Sequence, residues 1–130
     1  MYFGPELIAQ YHRPVSGAAA LIDEIVSELD SWPGVHAERR SQDLIVVHYE
    51  HLDLGALDRN SGVAELHFSP AERDELVEHG DAEPTYPSHN AANVRHDVRG
   101  PADVEAVLAL FRRRYRDLRG EDDPYSSQDP

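Results

Sequence analysis

Residues 62–80, GVAELHFSPAERDELVEHG, combine a strand and a helix and carry clear signals for both. The opening segment GVAELHF predicts a strand. Ser69 is a favoured N-cap residue, Pro70 suits the first helical position, and Glu72 completes a capping box. Gly80 stands where a helix commonly ends. We therefore expect a strand that runs directly into a short helix.

The residues before this unit predict one helix and two strands. Ser16 can cap a helix over residues 17–31, because the apolar residues there recur at helical spacing. Residues 35–39 and 44–49 predict strands, and the second is rich in β-branched residues. Residues 51–60 predict a loop. The expected core positions of the helix are Ala18, Leu21, Ile22, Ile25, Val26, Leu29 and Trp32.

The residues after this unit predict a further strand and a long helix. Thr85 and Tyr86 predict a short extended segment, and the alternation over residues 93–98 predicts a half-buried strand. A helix then begins at Pro101 and ends at Gly120. Its expected core face is Val104, Val107, Leu108, Phe111, Tyr115 and Leu118.

This order of elements predicts an α+β fold in a single domain. Hairpin-type connections favour an antiparallel sheet of about four to five strands with three helices packed on it. We assign residues 16–120 to the domain, residues 1–15 to an N-terminal arm and residues 121–130 to a disordered acidic tail.

The composition excludes several classes of protein. The chain has 130 residues and a formal net charge of −13, and its 12 basic residues are all arginine. Such acidity disfavours nucleic acid and anionic membranes as partners. The absence of cysteine excludes disulfides and thiolate metal sites, and no segment resembles a membrane span or a signal peptide. We expect a cytoplasmic protein, from either a salt-adapted cytoplasm or a GC-rich mesophile.

Four segments carry a family resemblance: PGV at 33–35, LG at 54–55, AELHF at 64–68 with RDELV at 73–77, and VRGPADV at 98–104 with LFR at 110–112 and Tyr115. They resemble the luciferase domain, a family of unknown function named after fungal luciferase. The order of elements is more distantly similar to that of small YjbR-like domains.

The resemblance implies an α+β fold and an oxygenase-like activity, since fungal luciferase oxidises a hydroxypyrone with O₂. A shared fold does not by itself transfer this chemistry. The chain departs from the family where many relatives have SGW before the penultimate strand, because residues 89–93 lack Trp. It also has Gly55-Ala56 where relatives have GH, so a ligand site built on these family residues would be altered here.

Three histidines in predicted strands, His48, His67 and His96, form a candidate metal site. If the strands are neighbours, these imidazoles and Glu65 would suit Zn²⁺, Fe²⁺ or Mn²⁺. The alternative is that each histidine makes its own hydrogen bonds on a different face. No ligand-spacing motif supports the metal site, so we expect neither a metal nor a cofactor.

Polar side chains near the predicted strand ends form a second candidate site, for a small molecule. These residues are Tyr49, Tyr86, His89, Asn90 and Asn93. The alternative is that they occupy turns and the surface. The arginines at the end of the last helix either complement its negative end or bind an anion. They are Arg112, Arg113, Arg114, Arg116 and Arg119.

Three functions remain open, because the chain contains no recognisable catalytic or nucleotide-binding motif. The first and favoured one is a small acidic domain that binds a small molecule or a protein partner. The second is a cofactor-independent, oxygenase-like enzyme, as the family resemblance implies. The third is a structural homo-oligomeric module, such as a homodimer.

We predict that salt stabilises this protein. A net charge of −13 makes the folded chain repel itself, and the Debye length falls to about 3 Å at 1 M salt. The melting temperature should therefore rise as KCl increases from about 0.05 to 1 M at constant pH. A flat or falling melting temperature across this series would contradict the salt-adapted interpretation.

Overall fold

The computed structural model describes residues 17–84 and 93–120. The helices are α1 (Ala18–Asp30), α2 (Pro70–Glu78) and α3 (Pro101–Arg119). The strands are β1 (Val35–Arg39), β2 (Leu44–Tyr49), β3 (Leu52–Asp58), β4 (Val63–His67), β5 (Glu83–Pro84) and β6 (Asn93–Asp97).

All of these strands join one antiparallel sheet in the order β1-β2-β3-β4-β6-β5. The predicted α+β class and antiparallel sheet are confirmed, although the described residues form six strands rather than four or five. The same part of the chain contains three helices, as expected.

The loop predicted over residues 51–60 is wrong, because most of it is the strand Leu52–Asp58. Its sequence LDLGALD is rich in Asp, Gly and Ala, which are uncommon in strands, so local propensity concealed it. The strand forms because it pairs with β2 on one side and β4 on the other. Tertiary pairing here outweighs local preference.

The helices pack on one side of the sheet, which we call the helix face. Buried side chains of all three helices share one apolar core with side chains of that face. The sheet contributes Ile45, Val47, Leu57, Leu66 and Val94 to this core. The opposite side, which we call the outer face, presents Leu44, Val46, Ala56, Glu65 and Asn93 by strand alternation and register.

The predicted ends of α2 are confirmed by its contacts. The Ser69 hydroxyl accepts a hydrogen bond from the backbone N–H of Glu72, and Pro70 is the first residue of the helix. At α1, the N-cap position is held by Gly17 without a side-chain bond, and the proposed cap Ser16 lies outside the described residues.

The core face of α3 differs slightly from the expected one. Val104, Val107, Phe111 and Tyr115 are buried as predicted, but Leu110 replaces Leu108 in the buried set. Leu108 and Leu118 are only partly buried. The helix contacts α1 as well as the sheet, so its buried stripe is rotated relative to the simple sequence pattern.

Some predictions lie outside the described residues. These are the N-terminal arm, the extended segment at Thr85 and Tyr86, and the acidic tail. Within residues 17–84 and 93–120, no helix is both long and apolar enough to cross a membrane.

We predict that Phe111→Ala lowers the free energy of unfolding by about 3–5 kcal/mol, because the ring is fully buried between α3 and the sheet. Leu108→Ala, in the same helix but only partly buried, should cost clearly less. Urea unfolding of both variants measures the difference. Equal losses would contradict the observed helix register.

Candidate functional site

A set of polar side chains lies on the outer face where β4 and β6 pair. The register places His67 opposite Asn93, Glu65 opposite Arg95, and Val63 opposite Asp97. Directly opposed residues of an antiparallel pair share one face of the sheet. We call Glu65, His67, Asn93, Arg95 and Asp97 the polar row.

Asn93 links two members of the polar row and is almost fully buried, with 1% of its surface exposed. His67 Nδ1 lies 2.8 Å from Asn93 Oδ1. Because an amide oxygen can only accept, Nδ1 donates this hydrogen bond. In a neutral imidazole, Nε2 is then the nitrogen that can accept a proton.

Burial determines the ionisation of Glu65. Removal from water raises the pKa of the Glu65 carboxyl, because it destabilises the charged form. The Asn93 amide and the positive charge of Arg95 oppose this effect in part. The net result is a carboxyl group that holds its proton to a higher pH than an exposed glutamate does.

Arg95 Nε and Asp97 Oδ1 are buried without a hydrogen-bond partner, and the amide of the buried Asn93 interacts with the Glu65 carboxyl. Asn93, Arg95 and Asp97 are alternate residues of β6, so their side chains lie on the same face. Other atoms of the two charged groups are engaged. Arg95 Nη2 lies 3.4 Å from Asp97 Oδ2 and from Glu83 Oε1.

His48 shares the outer face but lies away from the polar row. Its Nδ1 is 2.8 Å from Asp53 Oδ1, and its Nε2 is 3.2 Å from Glu38 Oε1. The Arg40 guanidinium, with a smaller contribution from His48, holds the pKa of the Glu38 carboxyl below its usual range. The strand β3 separates His48 from His67.

His96 lies on the helix face, because the register places it opposite Ala64. Its Nε2 is 3.1 Å from Asp103 Oδ1 at the start of α3. A hydrogen bond from the backbone N–H of Arg99, with a smaller contribution from His96, holds the pKa of the Asp103 carboxyl below its usual range. This histidine therefore supports a helix N-terminus.

The three histidines of the candidate metal site do not converge. His48 and His67 are on separate strands of the outer face, and His96 is on the opposite face. No group of three or more His, Asp or Glu side chains suited to a metal occurs within residues 17–84 and 93–120.

The candidate small-molecule residues are also divided by the sheet. Tyr49 is on the helix face, where its ring packs edge-on against Tyr115 at 5.4 Å between centroids. Asn93 is on the outer face, so these two side chains do not line one pocket. Tyr86, His89 and Asn90 lie outside the described residues.

The arginines of α3 mainly contact other protein groups. Arg113 binds Glu72 at 3.3 Å and Glu75 at 2.6 Å, which ties α3 to α2. Arg112 lies over the Trp32 ring, 4.5 Å from its centroid. Arg119 donates to the Tyr115 hydroxyl at 2.6 Å. These contacts support the structural interpretation of the cluster over an anion-binding one.

The sequence predicts two members of the polar row as site candidates, His67 and Asn93, and Glu65 as an accessory ligand. Arg95 and Asp97 are not predicted. The alternation of polar residues over 93–97 was a usable signal, because it puts Asn93, Arg95 and Asp97 on one face. What it could not supply was the neighbouring strand.

The described residues thus define a small α+β domain with one helix-covered face and one face that carries a half-buried polar row. Residues 54–114, from β3 into α3, match the family model described as Luciferase domain. This match supports the resemblance to the luciferase-domain family that the sequence motifs indicated. The matched range contains the whole polar row.

No curated protein and no solved structure matches the chain. The likeness to YjbR-like domains stays a prediction.

We predict that Glu65→Gln stabilises the protein at neutral pH. Because the pKa of Glu65 is raised in the folded state, its ionised carboxylate destabilises the folded protein at any pH above that pKa. Below the ordinary pKa range of glutamate the carboxyl is protonated in both the folded and the unfolded state, so the destabilisation disappears. The advantage of the variant should therefore shrink as the pH falls. Chemical denaturation at pH 7 and near pH 4 measures it, with exposed Glu24→Gln as the control. A destabilised Gln variant at pH 7 would contradict the assignment.

Proposed function

We propose that this domain binds a small organic molecule at the polar row. The observation that carries the proposal is a pair of unpartnered buried atoms on one face of β6, Arg95 Nε and Asp97 Oδ1. They offer one donor and one acceptor. A matching ligand presents a carbonyl or carboxylate oxygen to Arg95 and a hydroxyl or N–H group to Asp97.

The free-energy cost of these atoms supports a binding role over a structural one. A buried polar group without a partner costs about 1–3 kcal/mol, and more if it is charged. Two such groups on alternate residues of one strand are a substantial cost for a fold of this size. A ligand or ordered water that completes their hydrogen bonds removes this cost.

The apolar neighbours of the polar row limit what a ligand can contact. Ala56 lies opposite Glu65 on β3, and Val63 lies opposite Asp97 on β4. Both side chains are small, apolar and almost completely buried, at 0% and 4% exposed, so neither presents a surface to a ligand. Recognition at this site therefore depends on the polar edge of the ligand.

The charges around the site favour a ligand whose polar edge accepts hydrogen bonds over a cationic ligand. Arg95 and Arg99 both contact Asp97 Oδ2, at 3.4 Å and 3.3 Å. These arginines offset the acidic surface locally, and Arg95 Nε remains an unpartnered donor at the site. A cationic ligand would have to compete with them for Asp97.

The experiment is a titration of ¹⁵N-labelled protein with three ring compounds that differ only in the polar edge. Benzamide offers an acceptor and a donor, benzoate offers acceptors, and benzamidinium offers donors only. We predict that benzamide, and more weakly benzoate, shifts the backbone amides of residues 93–97 and 63–67. Benzamidinium should leave them unchanged.

Matched variants test whether these shifts come from the polar row. Asn93→Ala should weaken binding of benzamide at least tenfold, because it removes the amide that holds both Glu65 and His67 beside the site. Asn60→Ala, an exposed asparagine in the β3–β4 turn, should bind as the parent does. Benzamide shifts that are equally large in Asn93→Ala and in the parent protein, or the absence of shifts with all three compounds, would overturn the proposal.

The remaining expectations from the sequence stay predictions. They are the oxygenase-like activity, a protein partner or homodimer, the cytoplasmic location, and the absence of nucleic acid as a partner. The luciferase-domain match is compatible with binding of a small molecule, since that family is named after an enzyme with a small organic substrate.

A further inference from the structure

A buried apolar patch lies on the outer face, on the side of the sheet away from the helices. Leu44, Val46 and Ala56 form a cluster separate from the main core, and they are 3%, 2% and 0% exposed. We call these residues the outer patch. Each of the three helices contributes its buried side chains to the core on the helix face instead. Within residues 17–84 and 93–120, no helix covers the outer patch.

We propose that the outer patch is the docking site for the N-terminal segment of this chain, residues 1–16. This segment contains aromatic and aliphatic side chains suited to an apolar surface. They are Tyr2, Phe3, Leu7, Ile8, Tyr11 and Val15. A sheet that is buried on both faces is the expected result.

The N-terminal segment joins the described structure at Gly17, near the end of the sheet where Leu44 of the outer patch lies. A Cβ built at Gly62, in the β3–β4 turn, would lie 3.1 Å from the Cβ of Ala18. The start of α1 therefore touches this turn, and Arg59 of the turn binds Asp23 of α1 through two bonds of 2.8 and 2.9 Å. Leu44 is opposite Asp58, immediately before the same turn.

The backbone of Gly17 allows the chain to change direction there. Its φ of 82° lies in the left-handed region that glycine adopts without strain. Residues that precede Gly17 can thus pass round the edge of the β3–β4 turn onto the outer face. No crossing of the sheet is needed.

The other two stretches outside the described residues fit the outer patch less well. Residues 121–130, EDDPYSSQDP, are acidic and contain one aromatic residue and no aliphatic one. Residues 85–92 begin after β5 and end before β6, at the far edge of the sheet. With strands about 4.8 Å apart, β6 is roughly 14 Å from β2, too far for an eight-residue loop to cover it and return.

Paramagnetic broadening tests the proposal on the full-length chain. The natural sequence has no cysteine, so Ala9→Cys provides one attachment site for a nitroxide label. We expect strong broadening of the amides of Leu44, Val46 and Ala56, and little at Glu105 and Arg112 on the exposed side of α3. Glu105→Cys, labelled in the same way, is the matched control and should give the reverse pattern.

A second sample mixes nitroxide-labelled chain without ¹⁵N with ¹⁵N-labelled chain without nitroxide. This mixture distinguishes docking of residues 1–16 within one chain from contact with a second copy. Broadening of the outer patch within one chain, and none in the mixture, supports the proposal. Broadening that appears only in the mixture assigns the patch to a dimer and overturns it, as does no broadening at the patch. These readouts are independent of the benzamide titration, so either proposal can fail alone.

Discussion

The packing of this domain depends on the missing side chain at Gly55, near the middle of β3. A Cβ at this position would lie 2.6 Å from the backbone oxygen of Glu65 and 3.2 Å from the Phe111 ring. The first distance would push β3 away from β4, and the second would lift α3 from the sheet. The fully buried Phe111 ring occupies the space that a side chain would take. Glycine at this point therefore permits both the central strand pairing and the helix layer.

The same close approach positions the candidate site. Ala56 follows Gly55, so it faces the other way and lies opposite Glu65 on the outer face. The pairing of β4 with β6 then adds Arg95 opposite Glu65 and Asn93 opposite His67. One antiparallel register thus connects the packing of α3 on one face with a row of polar groups on the other. Within that row Arg95 Nε and Asp97 Oδ1 have no partner, whereas the ion pairs of Arg113 with Glu72 and Glu75 tie α3 to α2.

Particular elements show where sequence reasoning succeeded and where it failed. The helix at Pro70–Glu78 was predictable because its cap signals are local and act within one turn. The strand Leu52–Asp58 was not, since its residues have poor strand propensity and its stability comes from two partners distant in sequence. For the same reason, alternation placed His48, His67 and His96 correctly within their own strands but could not relate one strand to another.

The sequence by itself determined the α+β class, the apolar stripes of the helices, most strand positions, the acidity and the resemblance to the luciferase domain, because these follow from local pattern and composition. Only the tertiary structure decided the strand order and the faces. It separated His96 from His67, joined His67 to Asn93, and placed Tyr49 among core aromatics. The physical reason is that a sheet face is assembled from residues far apart in sequence. Its composition depends on the register between strands, and a shift of one residue would exchange every side chain between the two faces.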